Sequence, residues 1–199
     1  MTVKRKRRAP GKEQGMYRFD FDAGRRTLFP EGYSTLQVTS IELLVEEFFR
    51  QGMVMKEQLA YLLATAYHEC HNPAYPKKRL TPMKEFGGAS YLKSKTYYPY
   101  YGRGFVQLTW KSNYDKAGKR LGIDLLKNPD LALDPVYAAN IMVYGMKQGT
   151  FTGKKLNDYI NAQNVDFLQA RRIINGMDKS KLIAGYALLF QDCLSPVLC

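Results

Sequence analysis

The chain has 199 residues, 45% of them hydrophobic, which is enough apolar material to bury one core. Its formal net charge is +12 and it has three cysteines. No window is apolar for the roughly 20 residues a membrane-spanning helix needs, and an odd cysteine count does not make a disulfide framework. A helical membrane protein and a disulfide-held scaffold are thereby excluded, which leaves an ordinary globular chain with free thiols.

The charge is uneven. Lys4, Arg5, Lys6, Arg7, Arg8 and Lys12 fall in the first dozen residues with no acid among them. Residues 1–15 read as a basic, flexible arm, and residues 16–199 as a single domain. Two roles fit the arm: a solvated extension, or a segment drawn electrostatically to anionic cell-envelope polymers. Nucleic acid is not an expected partner, because the arm has no interleaved aromatics and no helix-turn-helix or RNA-binding signature follows. The arm runs into Ala9-Pro10-Gly11-Lys12 without the apolar core of a signal peptide, so synthesis in the cytoplasm is expected.

After a loop-like stretch to about Val38, Ser40 is positioned to cap a helix with Ile41, Leu44, Val45 and Phe48 on one face, ending at Gly52. A second helix, Lys56 to about Cys70, is apolar nearly all round and reads as central and buried, stopped by Asn72-Pro73. Residues 72–104, rich in Pro, Gly, Lys and Tyr, read as long loops with at most a small β-hairpin. Further helices are expected from Trp110 to Leu121, from Pro135 to Lys147 after an Asp134 cap, from Val165 to Asn175, and from Lys179 to Leu194 after an Asp178 cap. The fold class is mainly α, two-lobed, without internal repeats.

Four blocks carry chemistry in order: Ala60-Tyr61-Leu62-Leu63-Ala64-Thr65-Ala66-Tyr67-His68-Glu69, then Tyr100-Tyr101-Gly102-Arg103-Gly104-Phe105-Val106-Gln107-Leu108-Thr109-Trp110, then Asn128-Pro129-Asp130-Leu131-Ala132-Leu133-Asp134-Pro135, then Arg171-Arg172-Ile173-Ile174-Asn175-Gly176. Together they resemble the family 19 glycoside hydrolases, the chitinase family, and more closely its phage-endolysin branch. The resemblance covers roughly Thr35 to Leu194. It implies an α+β lysozyme-like architecture and cleavage of a β-1,4 bond between N-acetylated sugars.

Glycoside hydrolysis by inversion needs an acid to protonate the leaving oxygen and a carboxylate across the bond to activate water. Glu69, at the C-terminal end of a buried helix, meets both desolvation and the negative end of the helix dipole, and each favours the protonated form an acid needs. The resemblance makes Glu69 the general acid. It makes Glu85, 16 residues on and before Phe86-Gly87-Gly88, the general base, with a loop carboxylate paired to Lys84 or a neighbouring lysine as the competing reading. Thr109 aligns with the hydroxyl that holds the attacking water. Gln107, Asn113 and Asn175 align with groups that contact sugar hydroxyls and N-acetyl groups without adding charge.

His68 is expected to hydrogen-bond near the acid and orient it. Tyr101 and Arg103 are candidate substrate contacts or braces, and two of Tyr97, Tyr98, Tyr100 and Tyr101 are expected to face the cleft. Asp115 and Glu46 read as exposed helix faces, Cys70 as a small buried thiol. No metal and no cofactor are expected, since His68 and His71 are three apart and not four as in a His-Glu-x-x-His zinc helix. His71 has no role in this pattern.

The compact, cysteine-poor, basic chain resembles endolysins more than secreted chitinases. The expected partner is therefore the peptidoglycan glycan strand, cut by a monomer that reaches the wall or periplasm through a membrane lesion at the end of phage infection. Chitin cleavage is the runner-up. A cell-wall-binding module without catalysis and a zinc peptidase rank lower.

Overall fold

A computed structural model describes residues 16–197. The basic arm, and with it every expectation placed on residues 1–15, lies outside the described residues, as does Cys199.

Strand β1 (Tyr17–Phe19) leads into helix α1 (Phe21–Thr27), whose first turn is capped by the Asp20 carboxylate accepting from the Ala23 N–H at 2.9 Å. Helix α2 spans Thr35–Arg50. It begins five residues before the expected Ser40 cap, because Ser34 and Gln37 form a reciprocal capping box, each side chain accepting from the other's backbone N–H. Ser40 is buried in the helix interior. The region up to Val38, read as loop, thus holds a strand, all of α1 and the start of α2.

Helix α3 (Lys56–Glu69) matches its expectation. Residues 58 to 67 are buried without a break, so α3 is the central element, packed along α8 and against α2. Its last residues carry the candidate acid. Downstream come a short 3-10 turn at Pro76–Lys78, strand β2 (Met83–Lys84), helix α4 (Ala89–Lys93) and strand β3 (Arg103–Gly104), which pairs antiparallel with β2. Helix α5 (Lys111–Leu121) ends on Gly122 in the left-handed conformation. After a 3-10 turn at Pro129–Leu133, helix α6 (Pro135–Gln148) starts where expected, the Asp134 carboxylate accepting from the N–H groups of Val136 and Tyr137.

The expected helix from Val165 to Asn175 is corrected. Helix α7 is only Leu156–Tyr159, strands β4 (Ile160–Asn161) and β5 (Asn164–Val165) form a tight hairpin, and Gln169–Ile173 is a 3-10 helix. The buried residues Phe167, Ala170 and Ile173 recur every third position, a spacing that suits a 3-10 turn as well as an α-helix. Helix α8 (Ser180–Asp192) follows, and Asp178 does not cap it: Lys179 occupies the cap position with no side-chain bond, while the Asp178 carbonyl accepts from Arg171. Strand β6 (Leu194–Pro196) closes on β1. The mainly helical expectation holds, with three two-stranded antiparallel sheets among the described residues where at most one small hairpin was expected. Cys70 and Cys193 are free, buried thiols, and burial pushes both up in pKa.

Candidate active site

The Gly-Arg-Gly block folds tightly onto the 3-10 turn before α6 and onto its own loop because two glycines permit close approach. Gly104 has φ +82°, and a Cβ there would stand 2.9 Å from the Ala132 carbonyl oxygen; a Cβ on Gly102 would meet Gln107 Oε1 at 2.6 Å. Substituting Gly104 with Ala is expected to cost about 1–3 kcal/mol of stability from the left-handed backbone alone. For a chain of this size each kcal/mol lowers Tm by about 2–4 °C. Thermal unfolding of Gly104→Ala at the wild-type Tm would show that the loop shifts freely.

Arg103 between these glycines is a brace and not a cleft wall. It is 4% exposed, its Nε donates to Asp130 Oδ1 at 2.8 Å, and Nη1 donates to the Pro99 and Tyr101 carbonyls and to the Tyr114 hydroxyl. Burial alone would push Asp130 up, but Lys84 and Arg103 together hold its carboxyl below the ordinary value. Tyr101 lies under the same guanidinium, 3.8 Å from ring centre to Arg103, and stacks on Tyr98. Neither residue lines the cleft, and of the two readings, contact and brace, their mutual packing and the bonds of Arg103 fit the brace. The reason is legible afterwards: the Asn128–Pro135 block supplies the acid that draws Arg103 inward.

The loop and the end of α3 together wall a cleft of about 510 Å³. Glu69, Glu85, Gln107, Thr109, Asn113 and Asn175, all singled out in the sequence, line it. Glu85 is held at both oxygens: Tyr97 Oη donates to Oε1 at 2.7 Å and the Gly102 N–H donates to Oε2 at 3.0 Å. It is not paired with Lys84, whose ammonium donates to Asp130 instead. The Thr109 hydroxyl donates to the Gln107 carbonyl at 2.8 Å, and the Asn113 amide donates to the Thr109 carbonyl at 2.8 Å, so α5 and the loop fix each other. Gln107 Nε2 donates to the Met83 carbonyl at 3.1 Å, and Asn175 Oδ1 accepts from the Gly176 N–H.

Glu69 is 17% exposed, and Oε1 accepts from Arg171 Nη1 at 2.5 Å. Arg171 is itself 3% exposed and is held on its far side by the Asp178 carbonyl and carboxylate. The candidate acid thus stands at the end of the buried helix, as expected, but beside a buried cation that the sequence reading did not place there. His68 does not orient it: among the described residues His68 makes no side-chain hydrogen bond, and burial, followed by nearby arginines, pushes its pKa down. Glu69 pulls the other way. It lies next to the acid in sequence but does not line the cleft.

Arg171 and Trp110 had no role assigned from the sequence. Arg171 was written into the fourth block without a role, and nothing local distinguishes it from Arg172, which turns outward to Gln169. Trp110, 52% exposed on the cleft wall with φ +77°, packs edge-on to Tyr97 at 5.3 Å. Of the four tyrosines only Tyr97 lines the cleft. Tyr100 packs into the core, and Tyr98 lies outside the cleft, stacked on Tyr101. The bond to Glu85 pushes the Tyr97 hydroxyl up to about 12, so it remains a donor across the neutral range. Tyr97→Phe is expected to lower turnover up to about tenfold, the size of one hydrogen bond to a charged group at the weak end of its range, while Tm stays near wild type. Unchanged turnover would mean that the Gly102 N–H alone fixes Glu85.

Among the described residues no group of three His, Cys, Asp or Glu side chains is placed to hold a metal ion, and no helix is long and apolar enough to cross a membrane.

Residues 57–150 match the family 19 glycoside hydrolases, described as chitinase class I. Endochitinase At2g43610 of Arabidopsis thaliana is 39% identical over 87 residues, 41% of this chain and 28% of its own length. Endochitinase CH25 of Brassica napus is 50% identical over 139 residues, 66% of this chain and 41% of its own length. The chain spans less than half the length of either relative. Chitinase C from Streptomyces griseus HUT6037 shares the fold with a TM-score of 0.59 at 21% identity, over 85% of this chain and 75% of that one. The fold is thus the lysozyme-like one of the chitinases, and the segment that supplies Glu69, Glu85 and the Gly-Arg-Gly block is similar to the family 19 glycoside hydrolases.

Proposed function

We propose that the protein hydrolyses β-1,4 bonds between N-acetylated sugars by a single displacement, and that its substrate is the glycan strand of bacterial peptidoglycan, cut during phage lysis. The observation that carries the reaction is the facing of two carboxylates, Glu69 and Glu85, into one cleft with a hydroxyl and three amides. Glu69 gives a proton to the leaving oxygen, with Arg171 holding the carboxyl in place. Glu85, fixed by Tyr97 and Gly102, takes a proton from water on the opposite face of the sugar.

The Thr109 hydrogen bond gives that water its orientation. The hydroxyl proton is committed to the Gln107 carbonyl, so the oxygen is left to accept. A water donating one proton to Thr109 and the other to Glu85 turns a lone pair toward the anomeric carbon.

The wall-glycan reading is supported by the net charge of +12, which suits an anionic polymer, and by the resemblance to endolysins. Chitin is the second reading, favoured by the endochitinases among the relatives. The test is to digest purified peptidoglycan and chitohexaose in parallel and label the new reducing ends with borohydride before mass spectrometry. Labelled muropeptides are the expected result. Products from chitohexaose alone would give the protein to chitin.

A further inference from the structure

Beside the cleft lies a small recess of about 50 Å³. It adjoins the cleft: Leu108, Asn113 and Phe151 line both. Its other apolar walls are Ala117, Ile141 and Tyr144, and Lys116 and Arg120 stand among them. No carboxylate lines it.

The cations are available. On the exposed side of α5, Lys119 is paired with Asp115 at 2.7 Å, whereas Lys116 makes no ion pair among the described residues. Arg120 lies over the Tyr144 ring at 3.9 Å and donates only Nη2, to the Asn140 carbonyl. A guanidinium carries five N–H donors, so the remainder can serve an anion.

A recess that is apolar inside, methyl-sized and cationic at its edge fits a short aliphatic group bearing a carboxylate. Building on the wall-glycan reading above, we propose that this recess binds the lactyl arm on O3 of an N-acetylmuramic sugar, its methyl against Ala117 and Ile141 and its carboxyl group toward Lys116 and Arg120. Chitin has a hydroxyl at that position and nothing to place there. The recess therefore selects muramic strands whose lactyl carboxylates are free of stem peptide over chitin, and Asn113, which lines both recess and cleft, sets the sugar that carries the arm next to Thr109.

The test uses the full chain on four substrates: strands stripped of stem peptides, which carry the free lactyl carboxylate; the same strands amidated with carbodiimide; intact peptide-bearing strands; and chitohexaose. Wild type is expected to prefer the stripped over the amidated strands in kcat/KM by at least about threefold, the scale of a rim ion pair. The preference should shrink as salt rises. Lys116→Glu should abolish it, and Ala117→Leu, which fills the recess, should lower the ratio of wall glycan to chitohexaose. Lys116 is exposed, so its variant keeps the test open if Ala117→Leu does not fold.

Intact strands cut better than stripped ones, with the gain lost in Lys116→Glu, would move the recognised carboxylate from the lactyl arm to the peptide and overturn the assignment. Wall glycan cleaved with the same ratios by wild type and both variants would remove the recess from recognition and leave the proposed function standing. Cleavage of chitohexaose with no cleavage of any wall preparation would overturn both.

Discussion

Glu69→Gln is expected to lower turnover by at least ~10²-fold, the usual contribution of a general acid or base, in a protein that still folds. Gln has the shape of Glu and keeps a carbonyl oxygen to accept from Arg171 Nη1, but it has no acidic proton to give the leaving oxygen. The stability cost has to be separated from the chemical one. Breaking a buried ion pair outright costs about 3–5 kcal/mol because a charge is left without a partner. Here Arg171 keeps one hydrogen bond to Gln and the Asp178 carboxylate 3.6 Å away, so the loss should be well below that figure. Turnover and Tm measured on the same preparation distinguish the two, since a variant with native Tm and full activity would remove Glu69 from the chemistry.

The parts of this molecule that rest on neighbouring residues were readable from the sequence. Asp134 caps α6 two and three residues away, and the apolar run of α3 announces a buried helix by composition alone. Contacts across the chain were not readable. Arg171 reaches Glu69 over 102 positions, and Arg103 meets Asp130 over 27; in each case the local pattern shows an arginine and leaves its direction open. Tyr97 differs from Tyr98 only in which way the loop turns, and one of them holds Glu85 while the other lies outside the cleft. The Ser34-x-x-Gln37 box was a local signal passed over in favour of the later Ser40, which is equally well suited as a cap by residue type.

A second large loss, again about 10²-fold or more, is expected for Glu85→Gln, with substrate binding retained because the amide still accepts from Tyr97 and Gly102. Thr109→Val should lose less, about tenfold, as it removes one hydrogen bond to a water worth about 1.4 kcal/mol. The stereochemistry binds the two together. A base acting through water needs the two carboxyl groups about 6.5–9.5 Å apart and inverts the anomeric centre, whereas a nucleophile stands about 5–5.5 Å away and retains it. Glu85 is tied to the loop by both oxygens, so it is poorly placed to move in and bond to carbon, and inversion is the expected result. Proton NMR of the first product from a β-linked oligosaccharide should show the α anomer before mutarotation sets in. Early β product would exclude the single displacement, and full activity in Glu85→Gln would move the base to another acid while leaving Glu69 in its role.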